Sequence, residues 1–150
     1  MPSRSPPSLE NFLCLDLYAT SRAVMKAYTP LLAPLGLTYP QYLVLVALWE
    51  TEPQKVNELA DRLSLDSGTL SPLLKRLEAA GLVERSRSTI DERAVEIALT
   101  AAGRALQKKA PEVINRIDDL FGLKPEELRR LQTTLRSIGE RMEASQSATA

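Results

Sequence analysis

The chain has 150 residues, 19 basic against 19 acidic, with ten prolines, one cysteine and no histidine. At 44% hydrophobic and 25% charged it has the composition of one ordinary globular domain, large enough to need neither disulfides nor a structural metal. Lack of histidine excludes Ser-His-Asp and Cys-His nucleophile pairs and imidazole zinc sites, and the lone Cys14 cannot build a thiolate site. The glycines form neither a phosphate loop nor GxGxxG, so the expectation is a non-enzyme without metal or cofactor. The longest apolar run, Tyr42 to Trp49, is eight residues and too short to span a bilayer. Met1 to Ser8 has no apolar leader segment, which predicts a cytoplasmic protein with no membrane contact.

Met1 to Pro7 and Ser145 to Ala150, rich in Pro, Ser and Ala, read as frayed ends. Ser8 is placed to cap a long first helix that runs to about Leu32, is interrupted near Thr29-Pro30 and closes at Pro34-Leu35-Gly36. Thr38-Tyr39-Pro40 starts a second helix, ended by Glu50-Thr51-Glu52-Pro53. Val56, Leu59, Ala60 and Leu63 have the spacing of a short amphipathic third helix. Pro72 fits only near a first turn, so the fourth helix begins at about Ser67 to Thr69; Leu70, Leu73, Leu74 and Leu77 are its stripe and Gly81 its stop. The period then changes from 3.6 to 2, and Leu82–Arg87 and Ala94–Leu99 read as two strands joined by the polar tip Ser88–Arg93. Thr100 caps a long helix bent at Pro111. A last helix after Lys124-Pro125 carries Leu128, Leu131, Leu135, Ile138 and Met142 at coiled-coil spacing, a seam that wants a partner.

Helix, tight turn, helix and two-stranded hairpin, in that order, define a mainly α fold with a small β-hairpin wing: a winged helix-turn-helix. Its second helix enters the major groove of double-stranded DNA and its hairpin reaches an adjacent groove or backbone. Ser67, Thr69 and Ser71 are short donors at the start of that helix beside Pro72; Lys75 and Arg76 follow one turn later, and Arg87 and Arg93 lie at the wing. Charge count alone does not discriminate, because Lys55 to Arg93 holds seven basic and seven acidic residues. The stretch Leu65 to Glu78, with Gly81-Leu82-Val83 and the tip Asp91-Glu92-Arg93, resembles the MarR family of dimeric repressors. The resemblance covers about residues 9 to 143. It implies a single domain in which about 8–36 and 100–143 dimerise and about 38–99 bind DNA. It further implies that Arg93 enters the minor groove and that Asp91 helps to hold it.

Cys14 has two readings: a small buried hydrophobe, the usual fate of free cysteine, or a reactive thiol. Tyr18, at i+4, shares its helix face. Tyr28 is again nearly on that face but roughly 21 Å away at 1.5 Å per residue, so it reaches only the Cys14 of a second subunit whose helix crosses antiparallel. Phenols donating to sulfur favour thiolate. The N-terminal stretch, with Thr38–Leu43 and Leu65–Leu70, looks like the organic-hydroperoxide-sensing OhrR branch of the MarR family. That resemblance implies a peroxidatic Cys14 and a hydrogen-bonding set of Tyr18, Tyr28 and Tyr39, partly supplied across a homodimer. The implied mechanism is release of a pseudo-palindromic operator when an organic hydroperoxide oxidises Cys14. No second, resolving cysteine is present, so the sulfenic acid goes to a mixed disulfide with a small thiol, a cyclic sulfenamide or overoxidation. Asp16 is charged where an apolar residue is expected. The alternative is a repressor of the same fold that answers a non-covalently bound phenolic ligand, with Cys14 inert.

Overall fold

The computed structural model describes residue 6 and residues 8–149; the frayed ends expected at Met1–Ser5, Pro7 and Ala150 lie outside the described residues. Two compact units divide the chain, one ending at Val113 and the other beginning at Ile114.

In the first unit, helix α1 spans Leu13–Leu32. A 3₁₀ turn, Leu9–Asn11, precedes it, and Phe12 leaves helical backbone at φ −99°, ψ 86°. Ser8 therefore flanks that turn, makes no side-chain cap, and does not start the helix as expected. Pro30 does not interrupt α1 either. Its missing N–H forfeits only the bond to the Lys26 carbonyl, and the chain beyond it still closes, with the Ala33 N–H donating to the Thr29 carbonyl and the Leu37 N–H to the Leu32 carbonyl. A second 3₁₀ turn, Ala33–Leu35, ends at Gly36 in the left-handed region (φ 68°), which only glycine adopts without cost, and the chain turns there.

Helix α2, Tyr39–Glu50, opens where predicted, and a capping box closes its start: the Gln41 N–H donates to Thr38 Oγ1 (3.4 Å) and the Thr38 N–H to Gln41 Oε1 (3.0 Å). It is the central helix. Tyr42, Val44, Leu45, Ala47 and Leu48 are all buried, which explains an apolar run with no polar face. Helices α3, Val56–Leu63, and α4, Ser67–Ala79, pack on it through Leu59, Leu70, Leu74 and Leu77, each fully buried. Such side chains contribute about 1.5–3 kcal/mol each by leaving water.

Gly81 (φ 72°) turns the chain from α4 into the hairpin of β2, Val83–Arg87, and β3, Val95–Leu99. The two strands pair antiparallel from Val83 opposite Leu99 to Arg87 opposite Val95. The sheet has a third strand that periodicity did not show: β1, Gln54–Lys55, pairs with Ile97 and Glu96, giving the order β1-β3-β2. Two residues carry no period. What holds β1 is the buried Gln54 amide, which donates to the carbonyls of Ala47 (2.7 Å) and Thr51 (2.6 Å) at the end of α2.

Thr100 caps α5, Ala101–Leu106, by accepting from the Gly103 N–H (3.1 Å), and its own hydroxyl donates to the Gly81 carbonyl (2.6 Å). Gly103 lies so close to the hairpin base that a Cβ would stand 2.1 Å from the Leu82 carbonyl oxygen. Its own carbonyl accepts from Trp49 Nε1 at 2.9 Å. The single long helix expected after Thr100 is in fact two. A 3₁₀ turn at Gln107–Lys109 separates α5 from α6, Ala110–Phe121, and Pro111 sits in the first turn of α6, where it is tolerated rather than bending anything.

In the second unit, α7 spans Pro125–Ser147, its start closed by the Lys124 N–H donating to Glu127 Oε2 (2.8 Å). Ser145 to Ser147, expected to fray, continue the helix; Ser145 and Ser147 hydroxyls donate to the Met142 and Glu143 carbonyls. No α7 residue is buried, and Leu131, Leu135 and Met142 are exposed. Among the described residues, no single helix is long and apolar enough to cross a membrane.

Candidate DNA-binding surface and thiol site

Asp66 sets the start of α4. Its carboxylate accepts from the Thr69 N–H (2.7 Å) and hydroxyl (3.0 Å), and these bonds, the backbone one first, hold its carboxyl below the usual carboxylate range. Thr69 is thus both an exposed candidate DNA contact and a partner in the cap; its hydroxyl proton is engaged, leaving oxygen lone pairs outward. Ser67, Pro72, Lys75 and Arg76 are exposed and Ser71 half-buried, on faces of α4 away from the buried leucine stripe. One helix therefore separates a packing face from a polar one.

The wing tip is fastened by its own polar groups. Ser88 is buried, and its Oγ accepts from the N–H groups of Ile90 (3.2 Å) and Asp91 (3.3 Å). The Ser88 N–H reaches the Ala94 carbonyl and the Ala94 N–H the Asp91 carbonyl, each at 2.9 Å. Asp91 Oδ1 accepts from the backbone N–H of Arg93 at 3.1 Å, so Asp91 fixes the main chain that carries Arg93 rather than its guanidinium. The tip presents Arg93 and a 93% exposed Ile90 to solvent, with Arg87 exposed lower on β2. Ser67, Asp91 and Arg93 line one cleft. The sequence reading placed Ser88 in the tip but missed its bracing role, although a serine hydroxyl bonding backbone two or three residues on is a common turn device.

The thiol residues fall into two places. Cys14 is exposed near the start of α1, not a buried hydrophobe of this chain. Tyr18, one turn on, is 62% exposed, with the Arg22 guanidinium 5.6 Å from its ring centre. Tyr28, near the other end of α1, is buried, and its ring lies 4.6 Å from that of Tyr39 and 6.0 Å from that of Tyr42. Burial pushes the phenols of Tyr39 and Tyr42 above the ordinary value; Tyr39 raises Tyr42 further. Both therefore stay protonated as donors at neutral pH. Within one chain Cys14 and Tyr28 lie towards opposite ends of α1, 14 residues or roughly 21 Å apart, and Tyr39 joins Tyr28 from the first turn of α2.

A helix-turn-helix followed by a braced wing defines a winged-helix transcriptional regulator that binds DNA. The MarR family model matches residues 37–95. The organic hydroperoxide resistance transcriptional regulator of Bacillus subtilis (strain 168) is 48% identical over 132 residues, 88% of this chain and 90% of that one. The regulator TtmR of Methylorubrum extorquens (strain PA1) is 46% identical over 144 residues, 96% of this chain and 74% of that one. Among solved structures, AbfR of Staphylococcus epidermidis, bound to DNA in reduced and in overoxidised form, superimposes with a TM-score of 0.74 at 37% identity, covering 89% of this chain and 94% of that one. The chain belongs to the MarR family, and these relatives are transcriptional regulators.

Proposed function

We propose that the protein is a homodimeric repressor whose operator affinity is switched by oxidation of Cys14 with an organic hydroperoxide. Residues 38–99 read a pseudo-palindromic operator through Ser67, Thr69, Ser71, Pro72, Lys75, Arg76 and Arg87, with Arg93 in the minor groove and Asp91 bracing it. Residues 8–36 and 100–143 hold the two copies together. The observation that carries the redox reading is the division of the thiol residues: an accessible Cys14 at one end of α1 and, towards the other, a buried Tyr28 whose ring meets that of the half-buried Tyr39 of α2. Two antiparallel α1 helices bring each Cys14, with its own Tyr18, against the partner's pair. Exposed Leu13, Leu15 and Leu17 around Cys14, and exposed Leu131, Leu135 and Met142 on α7, supply apolar area for such a dimer.

In the switching step the Cys14 thiolate attacks the terminal oxygen of the hydroperoxide. A sulfur–oxygen bond forms, the O–O bond breaks, sulfur is oxidised by two electrons, and the alkoxide leaves as alcohol after taking a proton. This chain carries no second cysteine to form an internal disulfide, so a small thiol condenses with the sulfenic acid, releasing water and leaving a mixed disulfide, with the cyclic sulfenamide and overoxidation as the other fates. The added group displaces α1 and its phenols and changes the spacing of the two DNA-reading heads. Titrating operator complexes of wild type and Cys14→Ser with cumene hydroperoxide tests the reading. Release by wild type alone is the expected result; equal release by both proteins overturns it. Sedimentation at micromolar concentration must show a dimer.

A further inference from the structure

Helix α2 carries an aromatic stripe. Tyr39, Tyr42 and Trp49 stand at i, i+3 and i+10, on one side of the helix. At its start, Tyr28 of α1 meets both tyrosines, with ring centres 4.6 Å from Tyr39 and 6.0 Å from Tyr42. Farther along, Tyr42 and Trp49 meet edge to face, 5.9 Å apart and inclined at 75°. The Tyr42 side chain is fully buried, yet its hydroxyl has no hydrogen-bond partner among the described residues. A buried phenol is ordinarily fixed by such a bond. Here packing against Tyr28 and Trp49 sets where the ring lies.

The far end of α2 is tied to the wing. Trp49 Nε1 donates to the Gly103 carbonyl (2.9 Å), and Gly103 packs on Leu82 with no room for a Cβ. The same joint is clamped by the Thr100 N–H, which donates to the Leu82 carbonyl (3.1 Å), and by the Thr100 hydroxyl on the Gly81 carbonyl (2.6 Å). Just past α2, the Glu52 carboxylate accepts from the Leu99 N–H of β3 (3.0 Å) and from Arg104 Nε of α5 (2.7 Å). A capped helix packed in the core shifts as a unit rather than deforming. We propose that α2 is the lever of the switch, with Tyr42 and Trp49 as its positioning residues. When Tyr28 and Tyr39 are displaced at one end, the Tyr42 ring follows, and Trp49 draws on Gly103 and so on the base of the wing. Each wing is then re-aimed from within its own chain, alongside the change in spacing between two heads. This inference rests on the redox reading above, from which it takes the oxidation of Cys14 as its trigger.

Trp49 is the only tryptophan of the chain, so its emission reports on this joint without a label. Cumene hydroperoxide and free cysteine are added to the reduced full-length protein, and Cys14 modification is followed by intact mass. The emission of the wild type should change in step with modification, and that of Cys14→Ser should stay constant. Constant wild-type emission at full modification overturns the proposal. A second measurement uses Trp49→Phe, which keeps a ring against Tyr42 and loses the donor to Gly103. Its binding is read by anisotropy on a labelled duplex selected from random-sequence DNA by the reduced wild type. The ratio of reduced to oxidised affinity should be about 2–30-fold smaller than the wild type's. Cys14 should be modified at the wild-type rate. A merely structural tryptophan would lower the melting midpoint and both affinities together, leaving the ratio unchanged, and that result also overturns the lever. If Trp49→Phe does not fold, the wild-type emission decides alone. Failure of the redox reading looks different: Cys14→Ser then releases the duplex as the wild type does, and nothing drives the lever.

Discussion

The winged head and helix α1 obey opposite rules, although both belong to the same compact unit. In the head, every long apolar side chain of the α4 stripe is buried, and the polar groups left outside are braced by neighbours in the same chain, Thr69 by Asp66 and the tip by Ser88. The proposed DNA-reading surface of each head is therefore built within one chain. Helix α1 buries only Tyr28 and Leu32 and leaves Cys14, Tyr18 and three leucines around them exposed. Cys14 and Tyr18 lie towards one end of α1 and Tyr28, against Tyr39 of α2, towards the other, so in the proposed sensor each end is completed from elsewhere. A head that is finished and a sensor that is not is the arrangement the proposed switch requires: oxidation would act where a second copy is needed, and the result would be read where it is not.

The largest effect that tests this contrast is on the head. Leu74→Ala, at a fully buried position, should lower unfolding free energy by about 2–5 kcal/mol in a denaturant titration, whereas Leu15→Ala in α1 should leave the melting of a dilute monomer nearly unchanged and weaken dimerisation instead. If Leu15→Ala costs as much as Leu74→Ala, α1 is ordinary core. Next, peroxide should weaken operator binding by wild type roughly 5–150-fold while Cys14→Ser stays within error. Arg93→Ala should reduce operator affinity by about 1–3 kcal/mol yet leave peroxide release proportionally intact, because head and sensor are separate. Thr100→Ala, which removes the cap of α5 and its bond to Gly81, should cost about 1 kcal/mol in thermal melting. The smallest effect concerns Asp66. Its carboxyl is held low in the folded state, so its contribution is present above the unfolded carboxyl value and is lost as pH falls through the folded one. Asp66→Asn should remove that part of the acid-side fall in stability and leave neutral-pH binding nearly unaltered.

The head was more legible in the sequence than the sensor, for a physical reason. Leu70, Leu73, Leu74 and Leu77 repeat at helical spacing because one chain buries them, and Val95, Ile97 and Leu99 alternate because one face of β3 packs inward. Caps at Thr38 and Thr100 were readable because they satisfy local donors. Strand β1 was not, since its pairing comes from a buried glutamine amide and not from a pattern. The break at Gln107–Lys109 was misplaced to Pro111 because proline is the visible punctuation, yet a first-turn proline breaks nothing. Cys14 could be assigned as a candidate only through its spacing to tyrosines and a family likeness. No periodicity in one chain records what a second copy contributes.

The central claim, that each Cys14 works with phenols of the neighbouring chain, is tested most directly in a mixed dimer. One subunit carries Cys14→Ser with native tyrosines, and the other carries native Cys14 with Tyr28→Phe and Tyr39→Phe. The rate of Cys14 oxidation by cumene hydroperoxide, followed by intact mass, should match the wild-type rate, since the surviving thiol meets the phenols of its partner. A rate equal to that of the homodimer carrying both phenylalanine substitutions would contradict the account, because the phenols that matter would then lie in the same chain as the sulfur.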